Sequence, residues 1–267
     1  MPRFVKLLPF LLLLAKFSYA QTDDVRVLQD ALKDKQLWLR NYSADRTARY
    51  EWANGTLVDK PSRLHALSTF IPRSIKYEHD KLILEGERAT LVRDIKQNKV
   101  FLAGRVPMTL EVELQNAPPD LVIPQIQEKL FFPNSNAAET NLPKPYANVL
   151  PFDVSRVPVP KRPTPILING QWSDVESSKV TLPWLISSAE PHITDEASHA
   201  GVHGTVRLVV VVSDKGKVDG TWLAMPVGYG LEERAADAVR QYVFRPALYG
   251  NKSVGTMLQI EINFEVN

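Results

Sequence analysis

Gly204-Thr205-Val206-Arg207-Leu208-Val209-Val210-Val211-Val212-Ser213-Asp214-Lys215-Gly216-Lys217-Val218 is the stretch whose reading decides the fold. It opens on a glycine, runs through a valine-rich segment, turns at Asp-Lys-Gly-Lys and starts back. Val and Thr are stiff at χ1 and suit a pleated, half-buried surface. Gly216 stands where a tight hairpin loop needs φ > 0, which glycine adopts without steric cost. The stretch predicts an apolar β-hairpin running from Gly204 to Met225.

Its neighbours complete a small module. Upstream, Thr194 precedes Asp195 and Glu196, which predicts a Thr N-cap with two acids in the first turn of a short helix that Gly201 ends. Downstream, Leu231, Ala235, Ala238, Val239 and Tyr242 share one helical face, with Glu232, Glu233, Arg234, Asp237 and Arg240 opposite and Arg245-Pro246 as the stop. In the last strand Leu258, Ile260, Ile262, Phe264 and Val266 alternate with Met257, Gln259, Glu261, Asn263 and Glu265. The apolar side then packs on the helix and the polar side meets water. The order α-ββ-α-β predicts a three-stranded antiparallel sheet with helices on one face.

The rest of the 267-residue chain divides by composition. Met1–Lys6 is a basic start, Leu7–Ala15 a short apolar run, and Ser18-Tyr19-Ala20 a small-x-small cleavage site before Gln21. A spanning helix needs about 20 apolar residues; Lys6 and Lys16 bracket only nine. Residues 1–20 therefore read as a cleaved signal peptide, placing the protein in the periplasm or outside the cell; the competing reading is an uncleaved anchor. Cleavage removes Arg3, Lys6 and Lys16, so 32 basic residues become 29 against 30 acidic ones, and the net charge falls from +2 to −1. That balance gives no electrostatic footprint for nucleic acid. With no cysteine, the fold stands on its core rather than on disulfides, as is common in bacterial periplasmic proteins. The sequons at Asn41, Asn54 and Asn251 are then chance matches.

Residues 22–132 read as an antiparallel β domain with helical ends, a curved sheet or small barrel. Val25, Leu28, Ala31 and Leu32 share a helix face. Strands follow near Leu37–Asn41, Ala48–Trp52, Leu67–Ile71, Ser74–Tyr77, Lys81–Glu87, Ala89–Ile95, Val100–Arg105 and Thr109–Leu114, then a helix starting at Pro124. Asn54-Gly55 is a hairpin signal and His79-Asp80 a turn. Residues 133–190 read as a proline-rich linker and extended segment, with Pro143, Pro145, Pro151, Pro158, Pro160 and Pro163 in its first part. Trp172, Trp184 and Leu185 are the expected anchors onto the last domain, residues 191–267. The whole is an α+β protein.

Catalytic signatures are absent: no G-x-S-x-G, H-E-x-x-H, P-loop or G-x-G-x-x-G occurs. His192, His199 and His203 cluster, but Gly201 interrupts the helix between the last two and no partner completes a metal set. His65 and His79 read as surface residues on strands. We expect no enzyme, no cofactor, no metal and no catalytic residue.

Residues 190–266 resemble the C-terminal domain of TonB, the periplasmic energy transducer of Gram-negative bacteria. The resemblance is carried by Glu190-Pro191-His192, Glu196-Ala197 through Gly201, Gly204-Thr205-Val206, Val210 through Val218, Gly230-Leu231-Glu232-Glu233, Ala235-Ala236, Ala238-Val239-Arg240, Phe244-Arg245-Pro246-Ala247 and the final strand. Tyr242 and Val243 stand where the family has Trp and a basic residue, and Pro191-His192 replaces its usual pair. The resemblance implies binding of a short peptide of an outer-membrane transporter by β-strand addition to the last strand. The partner-binding residues would be Met257, Leu258, Gln259, Ile260, Glu261, Ile262, Asn263 and Phe264. The competing expectation is that this edge is covered by residues 166–190 or by self-pairing into a homodimer. A cleavable leader and an interposed β domain imply an interaction protein without its own energy transduction. The alternatives are an energy transducer, if the leader is an anchor, and a lipid- or small-ligand-binding β domain with a docking module.

Overall fold

The structure, a computed structural model, describes residues 23–94, 99–143 and 164–265. The expected signal peptide and the proline-rich span from 144 to 163 lie outside the described residues.

The first half is one seven-stranded sheet. Its elements are α1 (23–32), β1 (Leu37–Leu39), β2 (Thr47–Ala53), β3 (Thr56–Asp59), β4 (Ser68–Glu78), β5 (Lys81–Asp94), β6 (Lys99–Glu113), α2 (Pro119–Leu130), β7 (Phe131–Phe132) and α3 (Ser135–Thr140). The strand order is β3-β2-β6-β5-β4-β1-β7, so the two end strands do not pair and the sheet is open rather than a barrel. Asn54-Gly55 and His79-Asp80 are two-residue hairpin loops with φ > 0 at both positions, the backbone twist that suits tight hairpins.

Three expectations change here. The strands expected as pairs on either side of Pro72-Arg73, of Arg88 and of residues 106–108 are the single long strands β4, β5 and β6, because bulges absorb the irregularity between Pro72 and Ser74 and between Arg88 and Thr90. Gly86 allows this on its own strand, since a Cβ there would overlap the Ile71 carbonyl and the Phe70 ring. The domain is not wholly antiparallel: β2 pairs with β6 in parallel, Thr47 with Thr109 through Glu51 with Glu113. Pro124 lies inside α2 rather than at its start, where Pro119 stands. Leu28 and Leu32 of α1 and Val122, Ile126 and Leu130 of α2 fill the sheet's face together with Tyr50, Phe70, Leu82, Leu84, Leu110 and Val112. The interior is thus packed with side chains.

The second half comprises β8 (Thr164–Ile168), β9 (Gln171–Val175), a 3₁₀ turn (Ser177–Lys179), β10 (Val180–Thr181), β11 (Trp184–Ser187), α4 (Asp195–His199), β12 (Gly204–Val212), β13 (Val218–Met225), α5 (Leu231–Val239), β14 (Val243–Arg245), β15 (Ala247–Tyr249) and β16 (Lys252–Phe264). The strands expected to form the sheet are β13, β12 and β16, paired antiparallel in that order, and β15, β10, β8 and β9 extend it. Residues 166–190, read as irregular, include the β8–β9 hairpin, turned at Asn169-Gly170 with φ > 0 at both. Thr194 caps α4, its Oγ1 accepting from Ala197 N–H at 3.1 Å. The helix α5 ends at Val239, and Val243–Arg245 is strand β14 rather than helix. Trp184 and Leu185 do not anchor: β11 is held by backbone pairing to β14, and these side chains are 72% and 42% exposed. Trp172 does pack inward.

The two halves share cores. On the helix face of the module, Val206, Leu208, Val210 and Val212 pack with α4, α5 and Ala44, Leu64 and Ala66 from the first half. On its other face, Val209, Val211, Trp222 and Met257 pack with Tyr42, Leu67, Phe132, Ala138 and Leu142. The four consecutive valines are therefore buried on both faces, which is why the stretch reads as an unbroken apolar run.

Candidate functional site

β16 is the strand on which the module's open surface depends. On one side it pairs with β12 from Thr256 opposite Val212 to Phe264 opposite Gly204. Before that pairing begins, Lys252–Val254 pair with β15, and on the side away from β12 the strand pairs with β8 at Gly255 and Thr256 only. Thr256 Oγ1 donates to the Pro165 carbonyl at 2.7 Å and fixes this end. From Met257 to Phe264 no strand pairs on that side among the described residues. A strand left this way presents unpaired N–H and C=O groups. At roughly 3.3 Å per residue the open length is about 26 Å.

The expected contact residues fall on this segment in two sets. Leu258 and Ile260 are partly buried, and Ile262 and Phe264 are buried, against the helix-side core. Met257 is buried on the opposite face, while Gln259, Glu261 and Asn263 are exposed. The polar set is braced across the β12 pairing. Arg207 Nε donates to Glu261 Oε1 at 2.8 Å, and Thr205 Oγ1 donates to Asn263 Oδ1 at 2.6 Å. Beyond Phe264 the edge opens on a hollow of about 440 Å³ lined by His203, Gly204, Thr205 and Glu265.

The opposite edge of the sheet is covered from within the chain. His65 forms a bridge with Trp222 of β13: its N–H donates to the Thr221 carbonyl at 3.2 Å, and its carbonyl accepts from Leu223 N–H at 2.7 Å. The His65 ring stacks on Trp222 at 6.3 Å between centroids, so it is not the surface residue expected. Burial holds its pKa below the ordinary value. The segment 60–67 that reaches across was not legible as part of the module; its one signal is the apolar spacing of Leu64, Ala66 and Leu67.

A hollow of about 870 Å³ lies between the halves. Its charges largely satisfy one another. Arg46 reaches Glu196 at 2.6 Å and Glu233 at 3.7 Å, and Arg63 reaches Asp237 at 3.4 Å. Glu232, expected on the solvent face of α5, is buried and accepts from Val227 N–H at 2.7 Å and Gly228 N–H at 2.5 Å. Arg88 is buried nearby, donating to Thr90 Oγ1 at 2.6 Å. Burial lowers its pKa, and the Glu232, Glu233 and Asp45 carboxylates partly offset that effect. This reads as an ion-paired seam between the halves. No group of three His, Cys, Asp or Glu residues is arranged for a metal among the described residues, and no helix among them is long and apolar enough to cross a membrane.

Residues 190–266 match the family model described as Gram-negative bacterial TonB protein C-terminal. The chain carries a TonB C-terminal domain. A search of curated proteins found no match. Among solved structures, the solution NMR structure of the Pseudomonas aeruginosa TonB CTD is similar at 19% identity, covering 34% of this chain and 89% of that one, with a TM-score of 0.28. The TonB domain accounts for α4 through β16. The first half and the β8–β11 segment, which cover one of its faces and part of one edge, lie outside the matched residues.

Proposed function

We propose that the protein is a periplasmic interaction protein whose TonB domain receives an extended peptide of a partner, such as the periplasm-facing peptide of an outer-membrane transporter, along the outer side of β16. The observation that carries this reading is the division of that side. β8 occupies it at Gly255 and Thr256, and Met257–Phe264 is open among the described residues. A peptide strand added there gains main-chain hydrogen bonds for affinity and alternate side-chain contacts for specificity. Leu258 and Ile260 offer partly buried apolar surface toward one face of the peptide, and Gln259, Glu261 and Asn263 offer polar contacts toward the other. The covered β13 edge leaves β16 as the side for pairing. The interposed N-terminal domain, sharing two cores with the module, favours a binding role without energy transduction of its own.

The absence of native cysteine gives a direct test. Single cysteines at Gln259, Glu261 and Asn263, and a control at the exposed Asp219 of β13, are each incubated with cysteine-scanned N-terminal peptides of outer-membrane transporters from the same host. Disulfides forming at the three β16 positions in a two-residue register on the peptide, and not at Asp219, support strand addition. Equal trapping at Asp219, or none on β16, overturns it.

A further inference from the structure

A second place in the molecule holds buried polar groups beside a cavity. Tyr50 of β2 is 2% exposed, and its hydroxyl has no hydrogen-bond partner among the described residues. Asn41 Nδ2, close by, is also buried and unpartnered. Both line a cavity of about 270 Å³ together with Arg40, Asp59 and Lys129, walled by Tyr42 and Phe132. A buried hydroxyl without a partner costs roughly 1–3 kcal/mol, and most native hydroxyls avoid that cost.

The surrounding bonds fix what these groups offer. Asn41 Oδ1 accepts from Ser43 N–H at 3.0 Å, which leaves the amide nitrogen as the end without a bond. Arg40 Nε donates to the Phe131 carbonyl at 3.0 Å, and its guanidinium carbon sits 4.8 Å from the Phe132 ring centroid. The side chain is thus held in place with its terminal N–H groups still to be used. Tyr42 Oη donates to the Ala138 carbonyl at 2.8 Å, so Tyr42 is a wall and not a donor. Lys129 is exposed at the end of α2. Burial pushes the Tyr50 phenol far up, and Asp59 adds to this, so the group stays an O–H donor at any physiological pH; the Asn41 amide offsets this slightly without closing a hydrogen bond to it.

We propose that this cavity binds a small oxyanion, a carboxylate or a phosphate, with Tyr50 Oη and Asn41 Nδ2 donating to it from the floor and Arg40 and Lys129 supplying positive charge at the mouth. Four residues that carry donors of different kinds line one space, and anions are held by convergent donors of this type. Asp59 at the rim accepts from a hydroxyl or ammonium beside the anion. The cavity is smaller than the roughly 300 Å³ at which drug-sized pockets begin, so its occupant has few heavy atoms and is not a lipid.

Isothermal titration of the full chain with inorganic phosphate, lactate and malate in turn, at constant ionic strength in chloride, tests this. At least one anion binds, and which of them binds distinguishes a phosphate from a carboxylate source. Tyr50→Phe and Lys129→Ala each weaken that binding roughly tenfold, the worth of one charge-assisted hydrogen bond, while Lys179→Ala on the 3₁₀ turn leaves it unchanged. Tyr50→Phe breaks no bond within the protein, so its thermal midpoint without anion stays level or rises, which separates lost binding from lost folding. No heat with any of the three anions, or unaltered binding in Tyr50→Phe, overturns the proposal.

Discussion

The Phe244 carbonyl oxygen occupies the space that a Cβ on Gly216 would need, and Phe244 N–H donates to the Gly216 carbonyl at 2.9 Å. The β12–β13 loop is therefore clamped to β14 through a residue that must be glycine for two reasons, its φ of +75° and its contact. Gly216→Ala should cost about 2–4 kcal/mol, since strain at positive φ and displacement of packed backbone add. Gly55→Ala has the same conformational demand with nothing within 4 Å, and should cost about 1 kcal/mol. Urea unfolding of the two variants measures the difference.

Glu232 ties the start of α5 to the loop before it by accepting from two backbone N–H groups. Glu232→Ala leaves both donors without an acceptor in a buried place and should cost about 2–4 kcal/mol. Glu232→Gln keeps one acceptor oxygen and should cost about half as much. Thermal denaturation at neutral pH reads both, and equal losses would mean that the negative charge, not the acceptor, is what the loop requires.

His65 gives the contact between the halves a pH dependence. Its folded pKa lies below the usual 6.5, chiefly because it is buried, with Arg240 also lowering it and the Thr221 backbone, Asp45 and Asp59 opposing. The unfolded chain therefore takes up a proton as pH falls through 6.5 while the folded chain resists. Stability is fully present above that value and is lost as pH falls toward the folded pKa. His65→Phe retains a ring for Trp222 and lacks the proton site. The unfolding midpoint of the native chain should fall between pH 7.5 and 5.5 by more than that of His65→Phe.

The helices and strands of the module were legible because its periodicities are clean: Leu231, Ala235, Ala238 and Val239 share a face, and all are buried. What was not legible is what lies against them. No local signal pairs β2 with β6 in parallel or sends His65 to β13, since both are contacts between segments far apart in sequence. Glu232 looked solvent-facing because spacing gives direction around a helix and not the loop that folds over it. Of the candidate site, the choice of the last strand came from the resemblance to the TonB C-terminal domain. The stop at Thr256 did not, because it depends on β8.

Trp184 shows the limit from the other side. A tryptophan in an uncharged run reads as an anchor, yet Trp184 and Ile186 are 72% and 63% exposed. Trp184→Ser and Ile186→Ser should each change stability by less than about 0.5 kcal/mol, as expected of surface positions. A buried anchor would instead lose about 3–5 kcal/mol on truncation. Chemical denaturation separates these values plainly.

Val209 and Val211 point away from the helices of the TonB domain and into Tyr42, Leu67 and Phe132 of the first half. Val211 is 7% exposed, and Val211→Ser should cost about 2–3 kcal/mol from lost methyl burial and a hydroxyl in an apolar place. The larger consequence concerns the module by itself. Val209, Val211, Trp222 and Met257 all lie on the covered face, and at about 1.5–3 kcal/mol for each buried side chain their burial sums to roughly 6–12 kcal/mol, an upper bound. That is comparable to the whole stability of an ordinary domain. Residues 164–265 expressed without the first half should therefore expose an apolar face, bind a hydrophobic dye and self-associate in sedimentation velocity. Replacing Val209 and Val211 by Thr in that fragment should restore a monomer, because β-branched Thr keeps the strand while giving the face a polar surface. A fragment that sediments as a monomer without those changes would mean that the covered face is not what binds the two halves together.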